Sequence, residues 1–201
     1  MKLFLKPGAC SLSPHIVLEE SGLAYETEYV DLKTKVTASG ADYLAINPKG
    51  YVPALLLDSG ELLSEGPAIV QYIADQVPAT RLAPANGTIE RYRLQSWLTF
   101  IGTELHKSFS PFFNPAAGDA WKEIGRANLE RRLAYTDAQL AGKSYLLGED
   151  FTVADAYLFT VLSWAKFIGL DLAQWPNVHA YQARVASRPK VQAALKAEGL
   201  A

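Results

Sequence analysis

Among the 201 residues there is a single cysteine, Cys10, so no internal disulfide framework can form, and cysteine usage this sparse fits a reducing, cytoplasmic compartment. Long hydrophobic runs are missing as well. No stretch approaches the roughly 18 apolar residues of a membrane span, and Leu3–Leu5 is interrupted by Lys6 and Pro7 before it could act as the core of an export signal. Charge of one sign is not in excess: 19 basic and 21 acidic residues, with no Lys/Arg run, leave no electrostatic footprint for nucleic acid or an anionic lipid surface. The three histidines, His15, His106 and His179, lack metal-ligand spacing. A glycine-rich phosphate loop and a nucleophilic-serine motif are also absent. What the chain has is 49% hydrophobic residues, enough for one large core or two small ones.

The two halves differ in periodicity. Lys2–Leu5 reads as a strand, and Leu12–Ser21 as a helix starting near Ser11 or Ser13, with Pro14 in its first turn and Gly22 closing it. Tyr25–Val30 is aromatic and β-branched at alternate positions, the pattern of a half-buried strand. Pro53 introduces Ala54–Leu57, and Asp58–Gly60 forms a turn into Glu61–Glu65, a predicted hairpin. A helix follows from Gly66, with Ile69, Tyr72 and Ile73 on one face. Small α/β domains of the thioredoxin-like kind share this order of elements, which does not by itself assign a fold, and the first domain is placed at residues 1–78. Residues 79–87, rich in Pro, Ala and Gly, form the linker. Residues 88–201 form the second domain and read as all-helical. Leu94, Leu98, Ile101 and Leu105 set one helical face; Trp121, Ile124, Leu129, Leu133 and Leu140 set another, with a break expected near Gly125. Thr152 and Asp155 form a carboxylate variant of the capping box ahead of Tyr157–Leu162. Glu19–Glu20 and Arg131–Arg132 read as solvated helix faces.

Two readings fit Cys10. It is either a small packed residue without chemistry, or a thiol at a strand-to-helix handover, where free N–H groups and the helix dipole favour thiolate. In Cys10-Ser11-Leu12-Ser13 a serine stands where a redox pair would carry its second thiol, so a reactive Cys10 needs an external partner. Ser64-Glu65-Gly66 opens the last helix of this half. That helix end suits a carboxylate and Glu65 an ammonium, together an α-amino acid head group, unless Ser64 and Glu65 merely cap. A cis Val52–Pro53 bond would turn the backbone of Val52 outward to pair with an extended peptide; an ordinary loop proline would not. Thr99, Gly102, Thr103 and His106 make a small polar stripe beside the leucine face, able to line a cleft, with His106 placed to polarise a thiol or to fill a structural role.

The stretches KPGACSLSPHI (Lys6–Ile16), NPKGYVPALLL (Asn47–Leu57), SEGPAIVQYIAD (Ser64–Asp75), TELHK (Thr103–Lys107) and FTVADAYLF (Phe151–Phe159) together resemble bacterial glutathione transferases of the beta class over the whole chain. The resemblance implies an α/β thioredoxin-like N-terminal domain that binds glutathione and an all-α C-terminal domain forming the second-substrate pocket. It also implies glutathione as co-substrate without a metal, and a homodimer. By position, Cys10 matches the cysteine beside the glutathione sulfur, Val52 the backbone partner ahead of cis-Pro53, and Glu65 with Gly66 the γ-glutamyl clamp. Lys35 matches a lysine that reaches glutathione, and Thr103, Glu104 and His106 match the helical wall. At position 99 the family often has asparagine; Thr99 is shorter with one donor fewer, and is kept among the expected contacts. Cys10, Ser11 and His106 are the expected catalytic set. The implied activity is attack of the glutathione thiolate on an electrophilic, aromatic or halogenated compound, for detoxification or xenobiotic catabolism. A glutathione-dependent thiol-disulfide reductase or reductive dehalogenase working through a Cys10 mixed disulfide is the first alternative. A non-catalytic binder of apolar ligands, using Phe109, Phe112, Phe113 and Trp164, is the second.

Overall fold

The computed structural model describes residues 1–201, and its N-terminal part is built on one mixed sheet. The strands are β1 (Lys2–Leu5), β2 (Glu26–Asp31), β3 (Val36–Thr37), β4 (Ala54–Leu56) and β5 (Leu62–Ser64), in the order β3-β2-β1-β4-β5. β1 runs parallel to β2, across the crossover helix α1 (Leu12–Ser21), and antiparallel to β4, which follows the short helix α2 (Tyr43–Ile46). The hairpin of β4 and β5 turns at Asp58–Gly60, where Gly60 takes φ +88° and its N–H donates to the Leu57 carbonyl. Period-two alternation sends Phe4 to one face, where it meets Val30, Tyr43, Val52 and Ala54. Leu3 and Leu5 go to the other face and are equally buried, so both faces of the sheet are covered.

β2 departs from the alternation expected of it. Val30 is its deeply buried residue, whereas Tyr29 is 40% exposed and its hydroxyl donates to the Ala197 carbonyl. A tyrosine can lie on a surface with its polar tip bonded, so aromatic spacing alone did not tell the inner face from the outer.

Helix α1 is buried from Leu12 to Leu18. It packs against α3 (Gly66–Gln76) and against α9 (Pro189–Ala197). The compact unit accordingly comprises Met1–Ala83 with Ser187–Ala201, and the second unit is Pro84–Ala186. The segment 187–201, read from sequence as part of the helical half, groups with the sheet for specific reasons. Arg188 grips the Glu20 carboxylate through Nε and Nη2 at 2.7 and 2.9 Å, and Lys190 lies 3.6 Å from Glu19. The buried Glu198 accepts from the Gly8 N–H at 2.8 Å and meets His15 Nδ1 at 2.8 Å. Glu19 and Glu20 are therefore not a solvated face.

In the second unit α4 (Ile89–Phe100) is capped by Thr88 and continues into a π-helical turn, Ile101–His106, then a 3-10 turn, Lys107–Phe109, and a short α5 (Ser110–Phe113). α6 (Asp119–Leu140) passes through Gly125 unbroken. A Cβ there would lie 3.0 Å from the Ser108 carbonyl oxygen and 3.1 Å from Pro111, so this glycine permits a close approach and does not end the helix. Leu129, Leu133 and Leu140 are buried as expected, while Trp121 and Ile124 are exposed.

α7 (Val153–Leu162) is buried along its length and begins with the expected capping box. α8 (Pro176–Ala186) packs on α6 and α7. The fully buried Asp155 accepts from the N–H groups of Leu146 and Thr152 and from the hydroxyls of Thr152 and Tyr181, at 2.8–3.1 Å. Burial pushes this carboxyl above the ordinary carboxylate range and those donors pull it back. No helix is long and apolar enough to cross a membrane.

Replacing Asp155 by Ala strands these donors in the interior and is expected to destabilise the protein by about 3 kcal/mol or more, measured as a fall in urea midpoint at unchanged m-value; a shift within experimental error would show that the box does not hold α7.

Candidate functional site

In the first unit the loop from β1 to α1 sets the position of Cys10. Gly8 takes φ +70°. Ser11 is fully buried, and its Oγ accepts from the Lys6 N–H at 3.1 Å while lying 3.2 Å from the Lys6 carbonyl. That hydroxyl is committed to closing the loop. Ser11, expected in the catalytic set, thus closes the loop that carries Cys10. Ser13, at the place of a second redox thiol, is buried too, with its Oγ unsatisfied. Cys10 precedes α1 and is half-buried, and its Sγ donates to the Val52 carbonyl at 3.2 Å.

Val52–Pro53 is a cis peptide. The loop ahead of it is anchored by the fully buried Tyr43, whose hydroxyl donates to the Tyr51 carbonyl at 2.9 Å, and by Asn47, whose Nδ2 donates to the same oxygen at 2.9 Å. Lys35 Nζ donates to the Gly50 carbonyl at 2.6 Å. Pro53 lies next to Gly66, at the head of α3. Glu65 stands just before that helix at φ +71°, ψ 112°, a backbone region few non-glycine residues adopt. Its Oε1 takes Lys49 Nζ and the Tyr51 hydroxyl, each at 2.6 Å. The Glu65 carboxylate raises both the Lys49 ammonium and the Tyr51 phenol above their ordinary values through these bonds.

Cys10, Val52, Pro53, Gly66 and Glu65 thus form a connected series, with Lys35 joined through Gly50. Lys49 and Tyr51 were not singled out from sequence. The available signal was a lysine and a tyrosine in the rigid loop that precedes the hairpin carrying the glutamate.

In the second unit, Thr99, Thr103, Glu104 and His106 lie along the end of α4 and the π turn. Thr99 and Thr103 are exposed, and Thr103 Oγ1 donates to the Thr99 carbonyl at 3.0 Å. Glu104 is held by Arg132 through Nε and Nη2 at 2.7 and 2.6 Å, so Arg132 is not merely solvated. His106 Nδ1 is 2.7 Å from the Tyr157 hydroxyl, and its ring meets Trp164 edge-on at 4.8 Å. Burial, with Lys107 adding to it, lowers the imidazole to about 4. Phe109 and Trp164 are core residues at 1% and 5% exposure, whereas Phe113 is half-exposed and Phe112 lies under the Arg126 guanidinium.

Residues 8–76 match the family model described as glutathione S-transferase, N-terminal domain, and residues 100–189 match glutathione S-transferase, C-terminal domain. The chain is 51% identical, over 200 residues and all of both chains, to glutathione S-transferase GstA of Escherichia coli O157:H7. Two solved structures are similar over 100% of both chains. One is a ternary complex of BphK, a bacterial GST (60% identity, TM-score 0.98), and the other a bacterial beta class glutathione S-transferase of Sphingomonas chungbukensis (51%, TM-score 0.97).

His106 is expected to titrate near about 4 and not near 6.5. Between those values the unfolded chain binds the additional proton, so this residue makes stability rise with pH there and fall as pH drops from 6.5. His106→Gln should flatten that part of the stability profile in urea titrations; an unchanged slope would place the histidine in a wetter setting.

Proposed function

The chain belongs to the glutathione S-transferase family, in its bacterial beta class, and is a transferase; from that premise we propose that it joins the glutathione sulfur to an electrophilic carbon of a small aromatic or halogenated compound, in detoxification or xenobiotic catabolism. The observation that carries this reading is the series running from Cys10 Sγ through the Val52 carbonyl and cis-Pro53 to Gly66 and Glu65. It offers an extended tripeptide one partner for each of its parts. The backbone of Val52 pairs with the central residue in the manner of an added strand. Glu65 receives the γ-glutamyl ammonium, and the N–H groups at the head of α3 receive its carboxylate. Lys35 supplies a cation to the far end. Lys49 and Tyr51, both on Glu65 Oε1, hold the clamp in one orientation.

Such a cradle leaves the sulfur beside Cys10 and the head of α1, where the helix field favours thiolate. The thiol proton leaves to solvent, the thiolate attacks carbon, the C–S bond forms, and the halide departs with its electron pair. Lower basicity also lowers nucleophilicity, so a lowered thiol pKa gives only a modest gain and positioning supplies most of the acceleration. Thr99, Thr103, Glu104 and His106 are kept as proposed glutathione contacts on the family resemblance alone. Ser11 contributes through the loop it closes. We further place the protein in the cytoplasm as a homodimer, on its single thiol and its family.

A second reading, thiol-disulfide exchange or reductive dehalogenation, is favoured by one observation: the Cys10 thiol bonds the same carbonyl that the tripeptide would use, which sets it to attack the sulfur of a bound glutathione disulfide or glutathionyl adduct, the mixed disulfide forming as glutathione thiolate or the reduced carbon leaves.

The deciding experiment follows thioether chromophore and free thiol together during turnover of an activated chloronitrobenzene with glutathione. Thioether formed in step with thiol lost is expected, with substantial conjugation retained in Cys10→Ala. Two thiols lost for each chloride released, with glutathione disulfide formed and no thioether, would instead establish reductive dehalogenation. Glu65→Ala should raise the KM for glutathione about 10- to 100-fold, the loss of a charged clamp worth about 1.4–2.8 kcal/mol; an unchanged KM would remove Glu65 from the clamp.

A further inference from the structure

We propose that Tyr157 is a positioning residue for His106: its hydroxyl donates to Nδ1 and fixes the imidazole as the Nε2–H tautomer, so that the ring presents an N–H donor at Nε2 and not a base. The inference rests on the conjugation reading above, in which His106 belongs to the proposed catalytic set.

Three observations carry it. The Tyr157 hydroxyl and His106 Nδ1 are 2.7 Å apart. Either atom could supply the proton on distance alone, but a phenol is a strong donor and a poor acceptor, whereas the imidazole lone pair is the more basic site, so O–H to N is the favoured direction. The ring is also held on two sides, with Tyr157 edge-on at 6.0 Å and Trp164 edge-on at 4.8 Å, which restricts the rotation needed to exchange its nitrogens. Finally, both partners are set by rigid backbone. His106 ends the π turn Ile101–His106, a widened turn of a kind frequent at functional sites. Tyr157 sits on α7, the buried helix held by the Thr152–Asp155 box. Gly102, in the same π turn, carries no side chain where a Cβ would lie 3.5 Å from the Tyr157 oxygen.

Burial keeps this imidazole neutral, so it bears one proton. With Nδ1 accepting from tyrosine, that proton resides on Nε2. A neutral N–H stabilises a thiolate without taking up its proton. The charged groups close to His106 in sequence agree with a donor role: Lys107 follows it and opposes protonation, and Glu104 is occupied by Arg132.

The test is the long-range 15N–1H imidazole spectrum of uniformly labelled protein, read without substrate and assigned with His106→Gln among only three histidines. The wild type should show His106 Nδ1 unprotonated and Nε2 protonated. Tyr157→Phe should move both resonances toward a mixture of tautomers and lower kcat/KM for conjugation roughly 5- to 30-fold, with KM for glutathione within about twofold. A protonated Nδ1 in the wild type overturns the proposal, and that spectrum decides even if the variant does not fold. A Tyr157→Phe protein with the wild-type imidazole spectrum, or with a changed spectrum and undiminished turnover, also overturns it. Because the spectrum needs no substrate, it settles the tautomer independently of whether conjugation occurs.

Discussion

The buried carboxylate of Glu198 is the tie on which the first unit depends. It takes the Gly8 N–H with one oxygen and meets His15 with the other, so it joins the β1–α1 loop to the middle of α1. A carboxylate out of water is tolerated only when donors meet its lone pairs, and here they come from two points of the segment that carries Cys10. Ser11 closes the same loop from inside through Lys6. The cysteine therefore stands on a loop fixed at both sides, and its thiol reaches Val52 without needing to hold the loop itself.

Carboxylates recur as organising points because each can accept several donors at once. Asp155 gathers Leu146, Thr152 and Tyr181 and so anchors the helix that presents Tyr157. Glu65 does the equivalent in the open, taking Lys49 and Tyr51 on one oxygen. The contrast in burial agrees with the clamp proposed above for Glu65. The two buried acids are enclosed by the chain that satisfies them, whereas the exposed one, held in an uncommon backbone conformation, lies where a ligand can reach it. Backbone strain at Glu65 fits that assignment, since such conformations persist where a side chain must be aimed.

What was legible in the sequence was local. The strand at Lys2–Leu5, the helix after Cys10, the hairpin around Gly60 and the Thr152–Asp155 box all depend on residues a few positions apart, and each lies where its pattern put it. Placing Cys10 ahead of a helix required only that logic. The cover on α1 was not legible, because Glu198 and His15 are 183 residues apart and nothing in Pro189–Ala197 distinguishes packing on a sheet domain from packing on a helical one. The π turn was hidden for another reason. Leu94, Leu98, Ile101 and Leu105 keep the spacing of an ordinary helix, and all are buried, so the widened turn leaves the apolar pattern unaltered. Lys49 and Tyr51 join Glu65 across the hairpin, a pairing set by the backbone at residue 65 and invisible to periodicity.

The long reach of Glu198 also orders events during synthesis. When Met1–Ala83 has left the ribosome it holds a complete sheet sequence but lacks the helix and the carboxylate that cover α1. Those residues follow only after Pro84–Ala186 has been made, roughly 5–20 s later at ordinary elongation rates. The intervening stretch is continuous in sequence, so the unit whose translation begins first is the one completed last. During that interval the side of α1 that packs on α9 has no cover.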